Sequence, residues 1–134
     1  MINFRIAVKS FIINNENKLL LLKRRSNNVH KPGAWDIPGG RLELGEDPFL
    51  GLKRETKEET NLDIEIISPI NVQHFTRDDD QKITMLIFLC KPSHNNLKIS
   101  EEHIEYSWVN LNQKETIPSW LNEPCRNFQR YFSE

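Results

Sequence analysis

Apolar and polar residues alternate along several short segments, which is the pattern of strands with one buried face. Residues 4–9 alternate in this way and 11–13 extend them. The turn residues 14–17 precede 18–23, which we predict to return as the second strand of a hairpin. Further strands are predicted at 64–67, 70–76, 83–90 and 106–109, and a polar loop at 27–34. Segment 83–90 is apolar enough to be central and buried on both faces.

Local signals predict a helix between residues 48 and 60. Asp47 can accept hydrogen bonds from the first turn, and Pro48 loses nothing at the first helical position. Asn61 is a plausible left-handed cap at the other end. The side expected to face the sheet carries Phe49, Leu52 and Thr56.

A second helix is predicted at the end of the chain, where apolar residues fall at helical spacing: Leu121, Cys125, Phe128 and Phe132. Strands interleaved with two helices indicate an α/β fold with a mixed sheet. The chain contains no internal repeat, low-complexity tract or linker-like stretch. We therefore expect residues 1–134 to form a single domain.

The composition narrows the class of protein. The chain has 134 residues, 37% hydrophobic and 28% charged, with a net charge of −1. This balance is typical of a globular domain and argues against an extended nucleic-acid surface, which needs a basic excess. Arg5 and Lys9 interrupt the apolar amino terminus, and apolar runs are too short to cross a membrane. Cys90 and Cys125 lack CxxC spacing, so we expect reduced structural thiols in a cytoplasmic protein.

The first predicted helix carries an acidic face. At about 100° per residue, Glu58 lies roughly −60° and Glu59 roughly +40° from Glu55, so the three share an arc of roughly 100°. Alone, this pattern is more often a solvated surface, because like charges repel weakly in water. A hard divalent cation reverses that repulsion. The preceding Gly39 and Gly40 favour a metal site over a solvated surface, because they let the backbone approach a ligand.

Residues 40–62 resemble the Nudix box, Gly-x5-Glu-x7-Arg-Glu-U-x-Glu-Glu-x-Gly-U, where U is aliphatic. Six fixed positions match, namely Gly40, Glu46, Arg54, Glu55, Glu58 and Glu59. At ~7% usage per residue type, such a match arises by chance on the order of once in 10⁷ starting points. Thr56 replaces an aliphatic residue and is expected to cost some packing under the helix. Asn61 replaces the terminal glycine, whose left-handed conformation asparagine can adopt.

The resemblance covers most of the chain and implies a Nudix-type α/β/α sandwich with a central mixed β-sheet. Residues 35–40 are similar to the family's entry into the box, and 19–25 to its second strand. The end of that strand often supplies arginines that contact substrate, which makes Arg24 and Arg25 candidates, against ordinary surface charge. Glu102 stands six residues before Trp108, the spacing found in MutT-type members. Glu102 is therefore a further candidate acidic group, against an ordinary loop carboxylate.

The family resemblance implies hydrolysis by attack of water at phosphorus, assisted by Mg²⁺ or Mn²⁺. The implied metal ligands are Glu55, Glu58, Glu59 and the Gly39 carbonyl, with Glu102 as an addition. The general base stays open between Glu55 and Glu102. Arg54 is expected to orient the carboxylates or hold a phosphate, and Glu46 to orient Arg54. The spacing of the histidines gives no role to His30, His74 or His94.

The substrate is the least determined feature. Asn122 is similar to an asparagine that reads the base in MutT-type members, or it caps the last helix. Residues 76–80 contain neither the proline typical of ADP-ribose hydrolases nor the tyrosine typical of diadenosine polyphosphate hydrolases. Elimination favours hydrolysis of an (oxidised) nucleoside triphosphate to NMP and pyrophosphate. A nucleoside diphosphate sugar or ADP-ribose hydrolase, or a non-catalytic nucleotide-binding module, is the alternative. Both a monomer and a homodimer stay open.

Overall fold

Seven strands and two α-helices are present in a computed structural model that describes residues 3–26 and 33–132. Within these ranges the elements are β1 (Phe4–Ile12), β2 (Lys18–Arg24), β3 (Trp35–Asp36), β4 (Gly39–Arg41), α1 (Pro48–Thr60), β5 (Ile64–Thr76), β6 (Lys82–Pro92), β7 (His103–Asn110) and α2 (Asn122–Tyr131), with a 3-10 turn at Ser119–Leu121. Most of the predicted loop 27–34, including His30, lies outside the described residues.

The strands form two sheets. The four-stranded sheet has the order β4-β1-β6-β5 and is mixed, because β1 and β6 run parallel while its other pairs are antiparallel. The second sheet, β3-β2-β7, is antiparallel. The mixed sheet and the central position of β6 confirm the predicted α/β fold class. The second sheet was not predicted.

The predicted hairpin of β1 and β2 is wrong. The turn does form, with the Asn14 N–H bonded to the Lys18 carbonyl at 3.0 Å, but β1 pairs with β4 and β6 while β2 pairs with β3 and β7. An isolated bridge between Ile13 and Leu19 links the two strands. The physical reason is the run of leucines at 19–22, which are all fully buried. A strand that buries both faces needs cover on both sides, which the second sheet provides.

Alternation along β2 divides the core into two clusters. The odd-numbered leucines of 19–22 pack in the cluster of Phe128 from α2. The even-numbered ones pack in the cluster of Leu52 from α1. Because successive side chains of a strand point to opposite faces, the two helices cover opposite sides of the strands. This is the arrangement of a sandwich.

Helix α1 begins and ends at the predicted residues. The Asp47 carboxylate accepts hydrogen bonds from the N–H groups of Phe49 (2.8 Å) and Leu50 (3.1 Å). Asn61 ends the helix with a left-handed φ of 63°. Phe49 departs from the predicted stripe, because its side chain is 52% exposed and lies beside the Phe88 ring.

The buried stripe of α1 accommodates a polar residue. Leu52 and Thr56 are both fully buried, as predicted. The Thr56 hydroxyl is hydrogen-bonded to the Ser10 hydroxyl of β1, which is also fully buried. A buried hydroxyl is costly only when it has no partner. Ser10 therefore compensates for the replacement of an aliphatic residue at position 56.

The remaining elements follow the predicted pattern with two adjustments. The strands predicted at 64–67 and 70–76 are one strand, β5, whose pairing register shifts between Ile66 and Ser68 and again between Pro69 and Asn71. Phe132 lies beyond α2 and is 38% exposed. Both cysteines are free and buried, as predicted. Within the described ranges, each helix is too short or too polar to cross a membrane.

Candidate active site

Two glycines bring the backbone of β4 between β1 and α1. Gly39 has φ of 139°, and a Cβ atom there would lie 2.0 Å from the Val8 carbonyl oxygen, so a side chain does not fit. A Cβ atom at Gly40 would lie 3.1 Å from Oε2 of Glu55. The Gly39 N–H donates to Oε2 of Glu59 at 3.2 Å. The backbone of strand β4 therefore lies directly against these carboxylates.

The three glutamates of the acidic face occupy different environments. The side chain of Glu59 is 8% exposed, that of Glu55 19% and that of Glu58 59%. Glu59 and Glu55 line one cavity, whereas Glu58 points toward solvent. The shared arc predicted from helical geometry is present, but only two of its members are enclosed.

Burial strongly favours the protonated form of Glu59. Its pKa is well above the usual value because of burial, reinforced by Glu55 and Glu102 and opposed by Lys9. Burial also raises the pKa of Glu55, against the effect of Arg54. Close carboxylates that are partly removed from water gain most from a cation between them. The set of donors therefore fits a divalent metal ion.

Arg54 holds the acidic side chains around it. Its Nε and Nη2 atoms donate to the two carboxylate oxygens of Glu46 at 2.9 and 3.0 Å. Its Nη1 atom lies 3.3 Å from Glu58, and Nη2 lies 3.5 Å from Glu55. The bidentate bond from Arg54 lowers the pKa of Glu46. All three guanidinium nitrogens contact carboxylates, which is the geometry of an orienting residue rather than a phosphate ligand.

The loop before β7 brings Glu102 to the same site. The Ser100 N–H donates to the Glu59 carbonyl at 3.1 Å, and the Arg25 N–H donates to the Glu102 carbonyl at 3.1 Å. Glu102 lines the cavity together with Glu55 and Glu59. The predicted position is therefore correct, while a role as metal ligand or general base stays a prediction.

His103 is a site residue that the sequence analysis missed. Its side chain is buried, with Nε2 3.9 Å from Oε1 of Glu59. Ligand atoms of Glu59, Glu102 and His103 lie within 4.8 Å of one another. Burial, helped by the charge of Arg24, lowers the pKa of His103 to about 4, so the ring is neutral near pH 7. The signal that could have found it is its position directly after Glu102.

A buried ion pair borders the carboxylates. Lys9 Nζ lies 3.2 Å from Oδ2 of Asp36, and it donates to the Ile37 carbonyl at 3.2 Å. Arg24 Nη1 lies 3.6 Å from the same Asp36 oxygen. Lys9, Arg24 and Asp36 all line the cavity. Sequence reasoning identified only Arg24 as a candidate, because strands β1, β2 and β3 become neighbours only in the folded chain.

Two other predicted residues lie elsewhere. The Arg25 side chain donates to the Glu101 carbonyl, outside the described lining of the cavity. Asn122 has helical angles (φ −59°, ψ −44°) and lines a separate cavity of about 30 Å³. The proposed cap is wrong, since α2 starts without a side-chain cap and Asn122 is already within the helix. A base-reading role for Asn122 stays a prediction without a contact to support it.

The main cavity is lined by both charged and apolar side chains. Its volume is about 670 Å³, within the range of small-molecule sites. The lining includes the charged residues described above and the two glycines. It also includes apolar and aromatic side chains, namely Ala7, Phe75, Ile83, Met85 and Trp120. Arg41, Thr76, Arg77 and Asp78 also line the cavity.

Trp120 is held in the cavity wall through its backbone. The Gln73 side-chain amide donates to the Trp120 carbonyl at 2.8 Å and to Oδ1 of Asn71 at 2.9 Å. Gln73 belongs to β5, so this bond joins the segment before α2 to the edge of the sheet. Sequence analysis missed both residues, because no local pattern relates positions 47 apart.

Comparison with known proteins identifies the family of this chain. The model of the NUDIX domain matches residues 3–128. A MutT-like protein of Streptomyces ambofaciens is 33% identical over 104 residues, which is 78% of this chain and 62% of that protein. Nucleoside triphosphatase NudI of Enterobacter sp. (strain 638) is 32% identical over 125 residues, 86% of this chain and 87% of that protein.

A solved structure matches over almost the whole fold. The crystal structure of the MutT protein from Methanosarcina mazei Go1 has a TM-score of 0.86 and 30% identity, and covers 99% of this chain and 98% of that one. The chain spans less than two thirds of the Streptomyces relative. From the fold, the carboxylate helix and the matched residues, the chain belongs to the NUDIX domain family.

Proposed function

We propose that the protein is a Mg²⁺-dependent hydrolase that converts a nucleoside triphosphate to NMP and pyrophosphate. The observation that carries this proposal is the cavity, whose lining combines the carboxylates of Glu55, Glu59 and Glu102 with the aromatic ring of Trp120. A polyphosphate needs neutralised charge near its reacting phosphorus, whereas a base needs an apolar or aromatic surface. The 32% identity to a nucleoside triphosphatase supports the triphosphate over other diphosphates.

The residues around the carboxylates have distinct roles in this proposal. Glu55, Glu59 and the Gly39 carbonyl would hold Mg²⁺ or Mn²⁺, with Glu58 and Glu102 as further candidate ligands. When bound, the ion neutralises the diphosphate and lowers the pKa of water. Arg24 lines the cavity and would contact phosphate oxygens.

The reaction breaks one phosphoanhydride bond. The water oxygen attacks a phosphorus atom, the bond from that phosphorus to the bridging oxygen breaks, and the water proton passes to a carboxylate. Glu55 and Glu102 are the candidate bases, because both line the cavity. Arg54 keeps Glu55 in place through the contact at 3.5 Å. Reduced, buried thiols are consistent with a cytoplasmic enzyme.

A substrate panel tests the proposal. The wild-type protein is incubated with Mg²⁺ and with nucleoside triphosphates, oxidised nucleotides, dinucleotides or sugar nucleotides, and the products are separated by chromatography. We expect NMP and pyrophosphate from triphosphates. NMP and a sugar phosphate as the dominant products would replace the triphosphate with a nucleoside diphosphate sugar.

Variants separate catalysis from binding alone. Glu55→Gln should lose activity and still bind nucleotide, whereas Glu65→Gln changes an exposed glutamate of β5 and should keep full activity. If wild type and Glu55→Gln are equally inert on the whole panel while nucleotide binds to both, the protein is a binding module. Comparing Glu55→Gln with Glu102→Gln also decides between the two bases, since loss of the base removes the acidic limb of the pH–rate profile.

A further inference from the structure

A nitrogen atom lies among the carboxylates of the candidate site. Ligand atoms of Glu59, Glu102 and His103 are all within 4.8 Å of one another. They come from two separate parts of the chain, the end of α1 and the start of β7. The bond from the Ser100 N–H to the Glu59 carbonyl (3.1 Å) and that from the His103 N–H to the Ser100 carbonyl (3.2 Å) fix this arrangement.

One ring nitrogen of His103 lacks the partner that a structural histidine normally has. The residue is only 3% exposed, and its Nδ1 atom is buried without a hydrogen-bond partner in the described part of the chain. Its Nε2 atom is 3.9 Å from Oε1 of Glu59, which is too long for a hydrogen bond. Burial of an unpaired ring nitrogen is unfavourable unless something else satisfies it. A metal ion bound at Nδ1 and shared with the two carboxylates would satisfy that nitrogen.

We propose that the imidazole of His103 joins Glu59 and Glu102 as a metal ligand, which raises the affinity of this site for transition-metal ions such as Co²⁺ and Mn²⁺ while Mg²⁺ still binds through the carboxylates. The physical basis is ligand type. Imidazole favours transition metals, whereas Mg²⁺ prefers oxygen ligands. Replacing His103 should therefore weaken Co²⁺ binding much more than Mg²⁺ binding. The inference rests on the proposed use of this site for metal, but it does not depend on the substrate.

Titration with metal alone tests this selectivity. Co²⁺ and Mg²⁺ are titrated separately into the wild-type protein and His103→Gln, with heat and the visible absorption of Co²⁺ as readouts. We expect the Kd for Co²⁺ to rise at least about tenfold in His103→Gln, and that for Mg²⁺ to change little. The matched control is His94→Gln, since His94 is bonded to Asp63 at 3.1 Å and lies outside the described lining of the cavity. Its metal affinities should equal those of wild type.

A spectroscopic measurement on intact protein does not depend on folding of the variant. Pulsed electron paramagnetic resonance of Mn²⁺-loaded wild type should show nitrogen modulation from a coordinated imidazole, and His94→Gln should retain it. Absence of nitrogen modulation in wild type would overturn the proposal. Equal losses of Co²⁺ and Mg²⁺ affinity in folded His103→Gln would also overturn it, because they would make His103 a residue that only positions Glu59. A failed substrate panel leaves this result unaffected.

Discussion

Helices α1 and α2 cover opposite sides of the strands, but they are specified in different ways. Helix α1 has local signals at both ends, in the Asp47 cap and the left-handed Asn61. Helix α2 starts without a side-chain cap, and distant amides hold its surroundings. Asn127 donates to the Ile70 carbonyl at 2.7 Å, and Gln73 donates to the Trp120 carbonyl. The acidic face of α1 is thus specified largely by local sequence, whereas the surroundings of Trp120 and α2 depend on long-range contacts.

The largest effect is expected from a substitution in the acidic face of α1. Glu59→Gln should lower kcat on the order of 10³-fold, because an amide is a much weaker metal ligand than a carboxylate and less charge would be neutralised at the reacting phosphate. Glutamine can still accept the hydrogen bond of the Gly39 N–H, so the fold should persist. Steady-state kinetics and circular dichroism measure both effects. If Glu59→Gln retains most of the activity while folded, the carboxylates of α1 are not the centre of the chemistry.

Loss of the hydrogen bond that holds Trp120 should change KM rather than kcat. Gln73→Leu removes the donor to the Trp120 carbonyl, so the aromatic wall loses a bond worth about 0.5–1.5 kcal/mol. We expect KM for a nucleotide to rise up to about tenfold with kcat nearly unchanged. Asn127→Leu is the matched control, because it removes a similar amide bond that holds α2 but not Trp120. Equal KM values in the two variants would refute a positioning role for Gln73.

A smaller difference between the helices is expected in how much the first residues of each contribute to the free energy of unfolding. Asp47→Ala should lower the free energy of unfolding by about 1 kcal/mol, because two N–H groups lose their acceptor. Asn122→Ala at the start of α2 should change it by less than about 0.5 kcal/mol. Urea denaturation of both variants measures these values. A comparable loss in Asn122→Ala would mean that α2 has a local start signal after all.

The smallest expected difference between the two sides of the sandwich is in the alkylation rates of the two cysteines. Cys90 packs in the cluster of α1 and Cys125 in that of α2. Burial raises the pKa of the Cys90 thiol to about 12 and that of Cys125 to about 11, so neither forms a thiolate in the native protein at pH 8. Alkylation should be slow until unfolding and should reach Cys125, which is slightly more exposed, first. Mass spectrometry of the modified peptides would show whether Cys90 reacts first instead.

The same burial gives a direction for alkaline stability. The unfolded thiols lose protons near the ordinary pKa of 9.0, below the pKa values in the folded chain. The unfolded state then binds fewer protons, so stability is full below pH 9 and falls as the pH rises above it. Replacing both cysteines with alanine should flatten this part of the stability profile, as measured by thermal unfolding.

Sequence predicted those parts of the site that depend on neighbours along the chain. The acidic face of α1, its caps and the close approach of Gly39 all follow from residue types and helical geometry. The position of Glu102 followed from a family spacing. The roles of these residues stay predictions that the variants above must test.

Sequence did not predict the features that depend on distant partners. The separation of β1 and β2 into two sheets was missed, because alternation identifies a strand without identifying its neighbour. The Lys9–Asp36 pair, His103 and the bond from Gln73 to Trp120 were missed for the same reason. Ser10 explains Thr56 only when β1 lies under α1.

The bidentate hydrogen bonds between Glu46 and Arg54 fix the number of residues between these two positions. Glu46 precedes the helix and Arg54 lies within it, so their bonds at 2.9 and 3.0 Å require a fixed number of residues between them. One inserted or deleted residue at 48–53 would rotate Arg54 by about 100° around the helix. A side chain at position 51 would also disturb this pair, since a Cβ atom there would lie 3.1 Å from the Glu46 carboxyl carbon. Length variation among homologous chains should therefore occur in exposed turns such as 14–17, and be absent between Glu46 and Arg54.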